Sequence, residues 1–219
     1  IDSTMIQGPG SKQPEWRLHY MLNLRTLGCD WHELTDCKVG EAIQRAPVEA
    51  NDVILGDRNF SARKGIRWVA KRGAHVLVRL RWCHGDLRDP EGRPFVALAK
   101  VKKLRVGQVG EWPVELPAHD EDEKVVGRVV AVRLPAPVAA KSERRARRTA
   151  AKKGKKIDPR TVVASRFVML FTTIPAHLLD AASVLALYRY RWQVEVAFKR
   201  LKQLLHLGNL PHKGGSAAR

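Results

Sequence analysis

Apolar and polar positions alternate in two rhythms along the chain. From Ser183 to His206, SVLALYRYRWQVEVAFKRLKQLLH, residues Leu187, Val194, Phe198, Leu201 and Leu205 recur at helical spacing. This predicts one long amphipathic helix laid on a core. Asp180 or Ser183 caps its start, and Gly208, Asn209 and Pro211 end it. Just upstream, ASRFVMLFTTIP is an almost unbroken apolar run closed by Pro175, the pattern of a central strand covered on both faces. Nearer the start, WRLHYMLNL and WHELTDC flank a turn at Leu27-Gly28-Cys29-Asp30 and predict a hairpin over residues 15–37. VGEAIQRA predicts a short helix ended by Pro47. The brief run Val53-Ile54-Leu55-Gly56 reads as a buried strand with Asp57 at its carboxyl end. Ser61 is placed to cap a helix through ARKGIRWVAKR, and Gly73 to stop it before the strand HVLVRLRW. Strand, helix and strand in this order predict an α/β sheet.

The rhythm changes at about Cys83. Glycines and prolines break residues 81–160 into short strand-like pieces such as FVALAKV and KVVGRVVAVRL, so this region is expected to be a mainly β insertion. Its end, KSERRARRTAAKKGKKIDPR over 141–160, has the composition of either a solvated linker helix or a basic arm that tracks phosphates; the arm is the favoured expectation. The expected organisation is a first core part over 1–80, the insertion, a second core part over 161–210 and a disordered tail over 211–219.

Charge narrows the class of partner. The 219 residues include 40 Lys and Arg against 22 Asp and Glu, a formal net charge of +18 and a pI near 10.4, the footprint of a protein that meets a polyanion. Nucleic acid is the expected partner. A membrane is not, because no apolar run approaches the ~20 residues needed to span one. Three cysteines, Cys29, Cys37 and Cys83, are too few and odd in number for a disulfide framework, which points to a reducing, cytoplasmic setting. Cys29 and His32, with Cys37 and Cys83-His84, give a zinc-like spacing that no paired motif completes. The acidic run 119–123, HDEDE, reads as solvated surface.

On the predicted helix, Tyr188, Arg191, Glu195 and Lys202 stand three, four and seven apart and so share one face beside the apolar stripe. Alone, Glu195 flanked by Arg191 and Lys199 is more often a helix-stabilising ion pair than a metal ligand. The pattern itself is more specific. YRYRWQVEVAFKRLK matches Tyr-x2-Arg-x3-Glu-x6-Lys at every fixed position and resembles the YREK signature of bacterial insertion-sequence DDE transposases. IDSTMIQGPG followed by WRLHY resembles the segment bearing the first catalytic Asp of that group, here Asp2, and VILGDRNF the one bearing the second, here Asp57. The resemblance covers nearly the whole chain and includes the mainly β insertion between the second Asp and the Glu.

The resemblance implies a ribonuclease-H-like α/β fold: a mixed sheet with flanking helices, in which Asp2 and Asp57 lie on strands and Glu195 arrives on a helix. It implies that these three carboxylates are both catalytic groups and metal ligands. Carboxylates brought together repel unless a hard cation sits among them, so Mg2+ is expected, as two ions, with Mn2+ as a substitute. Two such ions suit in-line displacement at phosphorus by water or a 3′-hydroxyl. Along a straight helix Arg191 and Lys202 lie roughly 6 and 10 Å from Glu195, and Tyr188 roughly 10 Å the other way. They are therefore expected to grip successive phosphates of the transposon end, with Arg191 nearest the metals. Trp192 matches an aromatic position used near a flipped base, against the plainer reading of a packed ring. His19 and Arg58 are read either as supports of the site or as structural side chains.

The expected function is the catalytic core of a transposase: metal-dependent hydrolysis at transposon ends, then strand transfer into target DNA, by a homodimer on paired ends. The rival readings are a ribonuclease-H-like nuclease without strand transfer, an inactive DNA-binding transposase fragment, and a non-enzymatic basic binder. The chain is expected to be a piece of a longer one, with its first core strand truncated, because it opens directly on IDST.

Overall fold

Alternate residues along the central strands face two different cores, and this sorting sets the layers of the molecule. A computed structural model describes residues 1–8, 10–83, 86–119, 123–204 and 206. Strands β4 (Val53–Gly56), β5 (His75–Arg79), β6 (Val109–Leu116), β7 (Val125–Arg133) and β8 (Phe167–Thr172) form one sheet in the order β4-β5-β8-β7-β6. The β4–β5 pair is parallel and the others antiparallel, so the sheet is mixed. Val76, Val78, Val129, Ala131, Met169 and Phe171 point to a large core shared with helix α1 (Arg63–Ala70) and helix α2 (Ala97–Val101). Leu55, Leu77, Val130 and Leu170 point to the other face, under helix α5 (Ala181–Arg189). Cover on both faces is why β8 reads as an unbroken apolar run. Buried Arg128 of β7 fastens the approach to α5: it donates to the Ile174 carbonyl at 2.9 Å and to the Leu179 carbonyl, and pairs with Glu111 at 2.5 Å.

A second sheet is the antiparallel meander β1 (Asp2–Gln7), β2 (Pro14–Leu22) and β3 (Cys29–Asp36), of which β2–β3 is the hairpin expected over 15–37. It buries Ile6 and Leu18 against Val194 and Phe198 of helix α6 (Trp192–Leu204). The sheets meet where the Ile1 nitrogen donates to the Leu55 carbonyl at 2.7 Å, which sets the start of β1 beside β4. This mixed α/β sheet with flanking helices is a ribonuclease-H-like arrangement.

The structure corrects several local expectations. The long helix is two: α5 ends at Arg189, and α6 starts at Trp192 after a tight turn closed by Gln193 N–H to Tyr190 carbonyl (2.9 Å) and Val194 N–H to Arg191 carbonyl (3.3 Å). The single apolar stripe is thereby divided, Leu187 packing on the five-stranded sheet and Val194, Phe198 and Leu201 on the meander. Leu205 and the expected stop at Gly208, Asn209 and Pro211 lie outside the described residues, as do the tail 211–219, His84 and Asp120 to Asp122 of the acidic run. Within FVALAKV, read as strand-like, Ala97–Val101 form helix α2, a known ambiguity of short apolar runs. VGEAIQRA forms only a 3₁₀ turn at Ile43–Arg45. Ala62, not Ser61, precedes α1; the Ser61 hydroxyl donates to the Arg58 carbonyl at 2.8 Å. Asp180 is the cap of α5, accepting from the Ser183 amide at 2.8 Å.

Within 81–160, β6 and β7 extend the main sheet through the β7–β8 pairing. The basic stretch is mostly helical, forming α3 (Ala136–Lys152) and, past a loop, α4 (Pro159–Ala164). Glu143 of α3 pairs with Arg166 at 2.5 Å, which anchors the helix beside the start of β8. Among the described residues no helix is long and apolar enough to cross a membrane.

Candidate active site

Asp2 opens β1, and Asp57 follows β4 directly, so both carboxylates stand where the two sheets meet. Local turns hold them. The Ser3 amide donates to Asp2 Oδ1 at 2.8 Å, and the Asn59 amide donates to Asp57 Oδ1 at 2.7 Å in an Asx turn that opens the 3₁₀ segment Arg58–Phe60. Gly56, just before Asp57, permits this turn: a Cβ there would meet Phe60 Cβ at 2.7 Å. The turn between α5 and α6 carries Arg191 to the same place. Its guanidinium donates to Asp2 Oδ2 at 3.3 Å and to Glu195 Oε1, bridging the first and third acids.

These groups line one cleft of about 750 Å³ that contains Asp2, Asp57, Tyr188, Arg191 and Glu195. The helix break brings Tyr188, on α5, to the same cleft as Glu195, on α6. Trp192 and Lys202 do not line it. Trp192 is 56% exposed at the start of α6, so its ring is not packed away, and Lys202 is half-buried further along α6. His19 is buried on β2 and bonded to Thr35 Oγ1 at 3.0 Å, a structural role, whereas Arg58 lines the cleft.

Part of the cleft wall comes from the basic stretch 141–160 expected to track phosphates, while Arg79, Arg81 and Trp82 were not foreseen. Arg79 and Arg81 approach from the end of β5, and Arg145, Lys153, Lys155 and Lys156 from α3 and the loop after it. Residues Ser142, Arg145, Ala146, Thr149 and Ala150, three and four apart, give α3 a cleft-facing side of mainly small residues. Lys141, Arg144, Arg147, Arg148 and Lys152 lie exposed around the rest of the helix. Trp82 closes one end of the cleft: its Nε1 donates to Thr161 Oγ1 at 3.1 Å, and the Arg160 guanidinium lies 4.7 Å from its ring centroid. The signal available for Arg79 was its place at the end of β5, parallel to β4; nothing local marked Trp82.

The electrostatics are those of crowded charge. Burial pushes the Asp2 carboxyl up to about 6; the Ser3 amide and Arg191 oppose this, while Asp57 and Glu41 add repulsion. Arg79 is brought down to about 10, first by burial and then by Arg58. Burial raises the Tyr188 phenol. Burial alone would lower Arg191, but its bond to Glu195 and the charges of Glu195 and Asp2 hold it above its ordinary value. Carboxylates supply only oxygen donors, and the ionised form of Asp2 is disfavoured by burial and by its acidic neighbours; such a donor set fits a hard divalent cation. Among the described residues no three acids, histidines or cysteines stand close enough to enclose an ion, because Arg191 lies between Asp2 and Glu195. Among the described residues the zinc-like set is not assembled either: Cys29 Sγ is 3.9 Å from His32 Nδ1, all three cysteines are free, and His84 lies outside the described residues. A second concavity of similar volume, at Trp31, His32, Glu33 and Arg45, is more open and far poorer in charge, with Glu33 already paired to Arg45 at 2.9 Å.

Comparison with known proteins shows which family the chain belongs to. The chain is 34% identical over 219 residues to a putative transposase, InsL, of insertion sequence element IS186A from Escherichia coli strain K12. It has the same identity to a transposase of insertion sequence element IS421 from Escherichia coli. These matches take in 97% of this chain but 59% and 58% of the relatives, so the chain spans about three-fifths of the length of the curated proteins it resembles. The family model for the transposase DDE domain matches residues 1–219, and the chain belongs to that family.

Proposed function

We propose that this chain forms the catalytic core of a DNA transposase that hydrolyses the phosphodiester at transposon ends and then transfers the freed 3′-hydroxyl into target DNA. The observation that carries this reading is the cleft: Asp2, Asp57 and Glu195 come from three distant stretches of chain and line one space that Arg79, Arg145 and Lys153 also line. Divalent metal use is general to the family, and Asp2, Asp57 and Glu195 are the side chains that would hold Mg2+ here. Bound there, the cation would lower the pKa of an attacking oxygen and offset charge on the leaving one.

The chain's own groups supply the rest. Arg58, Arg79 and Arg145 give fixed positive charge for the phosphates of a strand drawn into the cleft, with Arg79 the most buried of the three. Arg191, next to the acids, is the cation nearest the scissile group, and Tyr188 offers a phenol kept protonated as a hydrogen-bond donor. Trp192, exposed at the start of α6, stays available for stacking on an unpaired base, and Lys202 for a phosphate outside the cleft. The remaining basic face of α3 extends the DNA surface. The reading includes action as a homodimer on paired ends in the cytoplasm.

The test is cleavage and joining with DNA carrying the ends of the chain's own element. Glu195→Gln should retain end binding and lose Mg2+-dependent cleavage to below detection. Cleavage that survives the substitution would overturn the catalytic assignment, and cleavage without joining of pre-cut ends would reduce the activity to that of a nuclease.

A further inference from the structure

Glu41 lies in the loop between β3 and the 3₁₀ turn at Ile43–Arg45, with a side chain only 14% exposed. Its Oε1 accepts from the Ser3 hydroxyl at 2.6 Å, and its Oε2 accepts from the Asn59 side-chain amide at 2.7 Å. These partners are far apart in the chain but alike in one respect. Ser3 gives its backbone N–H to Asp2 Oδ1, and Asn59 gives its backbone N–H to Asp57 Oδ1. Each oxygen of Glu41 thus fixes a residue whose amide fixes one of the two aspartates. Arg17 completes the support, donating to the Ser3 hydroxyl at 3.1 Å and standing 3.6 Å from Glu41.

We propose that Glu41 is a positioning residue that braces Asp2 against Asp57 across the junction of the two sheets. This matters because those aspartates stand on different sheets, and their relative placement is otherwise set by general packing and by the contact between Ile1 and Leu55. Glu41 acts through Ser3 and Asn59: both of its oxygens are directed at those donors and not at the cleft, which it does not line. A carboxylate suits the task because it is acceptor-only and offers two oxygens to two donors at once. The inference rests on the reading of Asp2 and Asp57 as divalent-ion ligands, and in metal sites such supports of the ligands are worth about 10–100-fold in affinity.

The experiment titrates Mn2+ into the 219-residue chain and its variants, followed by loss of the free-ion electron paramagnetic resonance signal, with amide hydrogen exchange measured at Ser3 and Asn59. Glu41→Ala should weaken Mn2+ binding about tenfold or more and speed exchange at both amides together. Glu41→Gln should recover most of both effects, since its carbonyl still accepts from Asn59 and its amide still meets the Ser3 hydroxyl. Wild-type Mn2+ affinity in Glu41→Ala overturns the proposal, and so does Glu41→Gln as weak as Glu41→Ala, which would make the charge and not the bracing decisive. Asp57→Asn separates the two readings: if it leaves Mn2+ binding unchanged the metal site itself is wrong, and exchange at Ser3 and Asn59 still decides whether Glu41 braces them.

Discussion

The five-stranded sheet is covered on both faces, with Val76, Val78 and Phe171 buried on one side and Leu77, Val130 and Leu170 on the other. The β1–β3 meander buries Ile6 and Leu18 under α6, while Met21 and Trp31 reach the main core only as half-buried side chains. The acids are divided between these two regions. Asp57 belongs to the heavily packed sheet, while Asp2 sits on the meander and Glu195 on the helix that covers it. The site therefore spans a seam, and its geometry depends on groups that cross it, among them the Ile1–Leu55 hydrogen bond, Glu41, and Met21 and Trp31 packed on the main core.

If the main sheet carries the fold, Phe171→Ala should show the largest effect. Phe171 is fully buried in β8, and its removal should cost about 4 kcal/mol in a urea titration of the whole chain. A loss below about 1 kcal/mol would break the distinction between the regions. Phe198→Ala, at the meander, should cost roughly 3 kcal/mol locally, seen as faster amide exchange in β1, β2 and α6 while β8 stays protected. Equal acceleration in both sheets would mean that they form one cooperative unit. The smallest effect on folding belongs to the joint substitution of Arg144, Arg147 and Arg148 by Gln on exposed positions of α3. Stability should stay within about 0.5 kcal/mol of wild type, while the salt dependence of DNA binding becomes shallower by up to about 0.9 for each phosphate no longer neutralised. An unchanged slope would remove that face from the DNA surface.

Much of this was legible in the sequence, and the failures have physical causes. The stretches flanking Asp2, Asp57 and Glu195 stood out because fixed spacing of chemically distinct residues survives whatever packing surrounds it. The break between α5 and α6 did not stand out, because no Gly or Pro marks it and its i to i−3 hydrogen bonds keep a helical sense of turn. What divides the helix is tertiary: Leu187 and Val194 are required on different sheets. The same limit hid Glu41, whose partners Ser3 and Asn59 are neighbours only after folding. Asn59 alone carried a local hint, since Asp-x-Asn after a strand is a natural Asx turn.

The division of the former single stripe has a consequence for how the protein fails on heating. Glu195 is delivered by the smaller packing unit, so the opening free energy of that unit, and not of the whole molecule, limits how long the third acid stays in place. Catalytic competence should then be lost at a lower temperature than the main sheet melts, leaving an interval in which the molecule is still largely folded but holds only part of its acid set.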